Sequence, residues 1–156
     1  MLPDADCVIL RDVEETDLPV FFEHQRDPEA CRMAGFTARS RDAFHAHWRD
    51  KVLGNPGART KTIVVDGEVA GYVGSWLTCD ERLVAYWVGR QFWGRGVATA
   101  ALREFLALET TRPLHAHVAA HNVGSIRVLE RCGFVRVGDA ATGGDGVEEL
   151  TCRLDA

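Results

Sequence analysis

The spacing of apolar positions changes along this chain, and each change marks an element. Cys7–Arg11 reads as a short first strand. Thr16 and Asp17 are good N-cap types, and Leu18, Phe21, Phe22 and Gln25 then follow helical spacing until Asp27-Pro28 ends the run. Pro28–Arg39, which contains Gly35, reads as irregular. Ser40 can cap a second helix with the apolar stripe Phe44, Trp48 and Val52, and Gly54-Asn55-Pro56-Gly57 breaks it. Two extended runs follow, Thr60–Val65 and Glu68–Leu77. Asp66-Gly67 between them is a two-residue hairpin signal, because both central positions need positive φ. Thr78–Arg82 is a polar turn into the strand Leu83–Val88.

A long helix, Val97–Leu108, carries the stripe Ala98, Ala101, Leu102, Phe105 and Leu108, and Pro113 closes its connection to the strand Leu114–Ala119. Asn122 caps a short helix with Ile126 and Leu129 inward, and Gly133 suits the left-handed position after it. Phe134–Val137 and Val147–Leu154 are the last strands, around a glycine-rich hairpin loop at Ala140–Gly146. The order β-α-α-β-β-β-α-β-α-β-β combines antiparallel hairpins with a central β-α-β crossover. It predicts an α/β (α+β) domain over 1–156, with a mixed sheet and helices on its faces.

The connection between Leu83–Val88 and Val97–Leu108 is where chemistry enters. It reads Arg90-Gln-Phe-Trp-Gly-Arg-Gly-Val-Ala-Thr99. A glycine-rich turn from strand to helix presents unpaired backbone N–H groups, and the helix N-terminus adds partial positive charge, so the turn can seat an anion. Gly94 and Gly96 let the backbone come close to it. The same turn also serves as a tight connection that uses glycine for steric reasons alone. It is not a P-loop, since no Gly-Lys-Ser/Thr follows, and Thr99 stands where a dinucleotide fingerprint needs its third glycine.

Composition narrows the class. With 46% hydrophobic and 26% charged residues, 156 residues form an ordinary soluble domain that needs no disulfide or metal to hold its core. A net charge of −5 argues against a nucleic-acid partner and mildly favours a cationic or amine-bearing substrate. Five scattered cysteines without a CxxC fit free thiols in a reducing compartment. The first six residues lack a basic region and an apolar core, so they do not read as a signal peptide, and no apolar run approaches a membrane helix. A cytoplasmic protein without membrane contact is the expectation.

A parallel β-α-β unit brings the ends of Leu83–Val88 and Leu114–Ala119 together at one sheet edge. Asn122 and Ser125 follow the second strand, near the anion seat, and are suited to an amide-rich arm leading from a diphosphate. At this point the sequence resembles the GNAT acyltransferase superfamily. It looks most like the branch of ribosomal-protein N-terminal acetyltransferases. Gln91-Phe92-Trp93-Gly94-Arg95-Gly96 matches the acetyl-CoA motif Gln/Arg-x-x-Gly-x-Gly/Ala. Asn122-Val123-Gly124-Ser125 with Leu129-Glu130-Arg131-Cys132-Gly133-Phe134 matches a later motif, and Leu10-Arg11-Asp12 to Asp27-Pro28-Glu29 resembles the opening strand and helix.

The resemblance implies a mostly antiparallel twisted sheet of about seven strands with four helices on its faces. It implies acetyl-CoA as cosubstrate, no metal, and an amine acceptor that attacks the thioester directly in a ternary complex. The backbone of Gln91–Thr99, including Gly94, Arg95, Gly96, Val97 and Ala98, would hold the diphosphate. Val88 would polarise the acetyl carbonyl, and Arg90 and Asn122 would flank the pantetheine arm. Arg95 and Arg127 would meet phosphates or simply stand exposed. Ser125 becomes the candidate to serve the leaving thiolate, or a helix-start hydroxyl bonded to its own first turn. Leu129 stands where many relatives carry an acidic tyrosine, and Leu83 where many carry a glutamate before Tyr86-Trp87.

His115 and His117 alternate on one strand face, as half-buried residues or with His117 edging the cleft as a base. Trp48, Trp76, Tyr86 and Trp93 read as core or wall, and His45 and His47 lie on or beside the second helix's stripe. The acceptor should meet Asp27–Arg39, the second helix and the Ala140–Gly146 loop, where Asp27, Glu29, Asp42 and Asp145 either attract a cation or face solvent. Dimers are common in that branch, and the residues do not decide whether this chain forms a homodimer. A sensor that binds acyl-CoA without turnover, transfer of a longer acyl group, and a structural domain with an incidental turn are the competing readings.

Overall fold

The computed structural model describes residues 8–142 and 148–156, with backbone alone for 139–142. Cys7, the N-terminal hexapeptide, the 143–146 part of the expected loop with Asp145, and Val147 lie outside the described residues. Strand β1 (Val8–Asp12) pairs antiparallel with β2 (Arg59–Val65), β2 with β3 (Glu68–Thr78), and β3 with β4 (Glu81–Val88). Strand β5 (Leu114–Ala119) lies parallel to β4, and β7 (Glu148–Leu154) and β6 (Val135–Thr142) complete the order β1-β2-β3-β4-β5-β7-β6. This is the mixed, mostly antiparallel seven-stranded sheet expected.

Local chemistry sets the hairpins. Asp66 (φ 50°) and Gly67 (φ 82°) both turn left-handed between β2 and β3. Cys79 (φ 49°) and Asp80 (φ 67°) make an equally tight hairpin, so β4 starts at Glu81 rather than Leu83. The expected loop at Ala140 is strand as far as Thr142.

Alternation along β3 assigns the two sheet faces. Val73 packs into a core with Ile63, Val65, Val84 and Leu114. Helix α4 (Val97–Leu108) buries Val97, Ala101, Leu102 and Phe105 there, and α5 (Val123–Arg131) buries Leu129. The buried stripe of α4 runs through Val97 and its i+4 neighbours, and Leu108 in the last turn is 45% exposed instead of inward. Tyr72 points to the opposite face. It meets Trp48 (ring centroids 4.8 Å apart) and Phe21 (5.2 Å), in a cluster with Leu18, Phe22 and Phe44 from α1 (Leu18–Gln25) and α3 (Arg41–His47).

Among the described residues there are five α-helices rather than four. Pro28–Ala34 is helical (α2), not irregular. Asp27 Oδ1 accepts from Glu29 N (3.0 Å), Pro28 opens the first turn, and Gly35 ends the helix at φ 64°. The Asp-Pro pair that stops α1 thus starts α2. Ser40 caps α3 as expected, its Oγ accepting from Ala43 N (3.2 Å), but Trp48–Leu53 continues as a π-helical segment.

Candidate active site: a cleft where two strands part

Strands β4 and β5 pair only at Arg82↔Leu114 and Leu83↔His115. Beyond that, β4 stays with β3 up to Val88 and β5 stays with β7 up to Ala119. Neighbouring strands normally sit about 4.8 Å apart, so the lost ladder opens a wedge in mid-sheet, a cavity of about 520 Å³. Tyr86 and Val88 wall it on one side, Asn122 and Ser125 on the other, and Ala30 and Met33 of α2 flank it. Helix α2 is tied across the mouth at both ends. Asp27 Oδ2 meets Arg90 Nε at 2.9 Å after β4, and His121 Nε2 donates to the Arg32 carbonyl at 2.7 Å after β5.

The last residues of β4 are held firmly. Gly71 lies opposite Val88, where a Cβ would stand 1.9 Å from the Trp87 carbonyl oxygen, so only glycine fits. Gly89 N donates to Ala70 O (2.8 Å). Alternation then turns the N–H and C=O of Val88 away from β3, towards the gap. The indole Nε1 of Trp93 donates to that carbonyl (2.8 Å), which leaves the Val88 N–H as the group facing the cleft. On the α1 side of β4, His24 is buried with its Nε2 over Gly89, 2.6 Å from where a Cβ would be. Burial pushes its pKa below the usual value, so the ring is neutral at pH 7, and Nδ1 has no partner among the described residues.

The glycine turn follows. Gly94 and Gly96 both have φ 76°, and a Cβ on Gly94 would meet nothing within 4 Å, so the backbone there faces open space. Gly96 is the N-cap of α4 and brings no side chain, and helical bonding starts at Ala100 N→Gly96 O (3.1 Å). The Val97, Ala98 and Thr99 amides therefore point out of the helix uncapped. Gly94, Gly96 and these three residues line the cleft together with Arg127 and Arg131 of α5. Helix dipole, free amides and two arginines give this end the means to seat an anion such as a diphosphate.

At the other end, Asn122 Oδ1 accepts from Ser125 N (3.2 Å) as a helix cap, which leaves its amide N–H₂ available. The Tyr86 hydroxyl lies 2.6 Å from Ser125 Oγ and 3.2 Å from the Ser125 carbonyl. Burial pushes the phenol up to about 12, so it stays protonated. Leu129 is 1% exposed in the core, which places no acid at that position.

The structure thus gathers Val88, Gly94, Gly96, Val97, Ala98, Thr99, Asn122, Ser125 and Arg127 around one cavity. The side chains of Arg90, Gln91 and Arg95 do not line it. Arg90 is committed to Asp27, Gln91 is exposed, and Arg95 lies over the Phe92 ring at 5.5 Å. Carboxylates expected to draw a cation are occupied or remote: Asp27 by Arg90, Glu29 by Arg32, and Asp42 in a separate hollow with Glu15 and Arg49. His117 is exposed, bonded to Thr151 (3.1 Å), and does not edge the cleft, while His115 sits beside Glu81. Trp76 is 36% exposed rather than core. Among the described residues no cluster of His, Cys, Asp or Glu could hold a metal, and no helix is long and apolar enough to cross a membrane. Sequence reasoning placed Asp27–Arg39 beside the opening but missed that 28–34 is helical, and it missed the Tyr86–Ser125 pair, the Trp93–Val88 bond and His24. The first had a signal in Asp27-Pro28 and Gly35, whereas the others depend on contacts between distant segments.

Comparison with known proteins agrees with this architecture. No curated protein sequence matches the chain. Among solved structures, spermidine N-acetyltransferase from Vibrio cholerae in complex with CoA and spermine superposes with TM-score 0.81 at 16% identity, covering 96% of each chain. AAC(6')-Ib in complex with paromomycin and acetyl-CoA gives 0.79 at 20% identity, covering 96% of this chain and 94% of its own. A GNAT-family acetyltransferase from Bacillus anthracis gives 0.78 at 16%, covering 95% and 94%. At such identities these likenesses show the fold. The family model described as "Acetyltransferase (GNAT) domain" matches residues 8–135, and the chain accordingly belongs to the GNAT acetyltransferases, a family of acyltransferase enzymes.

Proposed function

We propose that this protein moves an acetyl group from acetyl-CoA to a primary amine by direct attack in a ternary complex. One observation carries the reading: the gap between β4 and β5 runs straight into the uncapped start of α4, with Arg127 and Arg131 beside it. A diphosphate at the Gly94–Thr99 amides would leave its amide-rich arm in the gap, between Val88 and Asn122. The Val88 N–H then meets the acetyl carbonyl and stabilises the oxyanion that forms on attack. Ser125 stands on the opposite wall to serve the departing sulfur. The amine must arrive neutral, and free amines have pKa values of ~10.4 (lysine type) or ~7.7–8 (α-amine). No glutamate stands at Leu83 to take that proton, so proximity and water carry more of the task.

The acceptor is a protein N-terminus or a small-molecule amine. The first follows the motif resemblance to ribosomal-protein N-terminal acetyltransferases. The second follows the fold neighbours, which are crystallised with aminoglycosides or spermine. Calorimetry with CoA, followed by thiol release from acetyl-CoA with kanamycin, spermidine and peptides bearing free N-termini, tests the proposal. Tight binding with amine-dependent release supports it. Binding without release for any amine favours the second reading, an acyl-CoA sensor, for which leucine at positions 83 and 129 speaks. No CoA binding refutes both.

A further inference from the structure

We infer that Tyr86 is a positioning residue that turns the Ser125 hydroxyl towards the leaving sulfur of the thioester. The inference rests on the acetyl-CoA reading above and adds a residue to it. Position 129 is apolar and sealed in the core, so the cleft wall must obtain its hydroxyl chemistry elsewhere. It comes from β4. Tyr86 and Ser125 both line the cavity, and their oxygens are 2.6 Å apart although 39 residues separate them in sequence.

Hydrogen counting gives the pair two arrangements. The phenol has one hydrogen and two acceptors within reach, Ser125 Oγ and the Ser125 carbonyl at 3.2 Å. When the phenol donates to the carbonyl, Ser125 donates to the phenol oxygen, and both hydrogens are spent inside the pair. When the phenol donates to Oγ, the serine hydrogen is released into the cleft. Negative charge developing in the cleft selects the second arrangement, because only that one offers it a donor.

The amine nitrogen bonds to the thioester carbonyl carbon and gives its surplus proton to water. The carbon–sulfur bond breaks and the sulfur leaves with the electron pair. Ser125 O–H donates to that sulfur, with its oxygen held by Tyr86 O–H. The phenol, at about 12, holds its proton more tightly than a thiol at ~8.5. The pair therefore stabilises the thiolate by hydrogen bonding and loses no proton, and the sulfur is protonated by water as the product departs.

The test needs no acceptor. CoA is bound to the protein and its thiol is titrated by ultraviolet thiolate absorbance, in wild type, Y86F, S125A and the double variant, with calorimetric CoA affinity measured in each. The wild type should lower the bound thiol pKa below that of free CoA. Y86F and S125A should each raise it by about one unit, the size of one hydrogen bond to a charge. The double variant should move it no further. CoA bound by Y86F with the thiol titrating as in wild type, or an unmoved titration in S125A, overturns this inference alone, as does a double variant whose shift is the sum of the singles. No CoA binding by the wild type brings down the acetyl-CoA reading, and this inference with it.

Discussion

Replacing Glu109 by glutamine should destabilise the protein by roughly 3–4 kcal/mol at neutral pH, and progressively less as the solution is acidified. Glu109 follows α4 and is 2% exposed, yet it is charged. Burial alone would push its carboxyl up. Hydrogen bonds from Ser75 Oγ (2.5 Å) and Thr111 N (3.2 Å), with the Arg82 guanidinium at 3.0 Å, outweigh that and hold it down at about 2 against an ordinary 4.5. Each unit is worth about 1.4 kcal/mol, which gives the figure above. The folded-state pKa lies below the unfolded one. The contribution is therefore complete above the unfolded value, about half gone midway between the two, and lost as pH falls through the folded value. Urea titrations of wild type and E109Q from pH 7 down to the acid limit would read the difference directly. A constant gap across that range would mean that shape rather than charge is at stake. No gap at pH 7 would remove the argument altogether.

Gly71→Ala should cost roughly 3 kcal/mol or more and abolish CoA binding, because its methyl would stand 1.9 Å from the Trp87 carbonyl and drive β4 out of place; wild-type stability in urea would refute this. Gly94→Ala adds a Cβ that meets no neighbour and costs about 1–2 kcal/mol of backbone strain, yet should weaken CoA at least tenfold by calorimetry. An unchanged affinity would remove the turn as the diphosphate seat. Asn122→Ala should lose about 1 kcal/mol from its missing cap and also raise the KM for acetyl-CoA. A variant with weaker stability and an unaltered KM would reduce Asn122 to a cap.

Periodicity made most of the fold legible. Val97–Leu108 and Leu114–Ala119 have the bounds that their patterns predict, and Asp66-Gly67 turns as its chemistry requires. Helix α2 was hidden because a seven-residue helix shows no sustained apolar stripe, and its Asp-Pro start doubled as the stop of α1. The cleft was legible where its lining is consecutive backbone, as at Gly94–Thr99. It was illegible where the lining is built from pairs of distant residues, such as Tyr86 with Ser125 or Trp93 with the Val88 carbonyl, since register and helix rotation decide them. Arg90 illustrates the same limit from the other side. Its sequence position suits a ligand arm, but Asp27 captures it.

The parting of β4 from β5 has a consequence for the whole molecule. An interrupted sheet behaves as two panels sharing a short seam, four strands on one panel and three on the other. Each panel has an inner rim of backbone groups that the other panel does not pair. Acetyl-CoA bound as proposed would lay its arm along those rims as a missing thread. Its departure would then loosen the joint between the halves, and the melting temperature would become a gauge of how full the seam is.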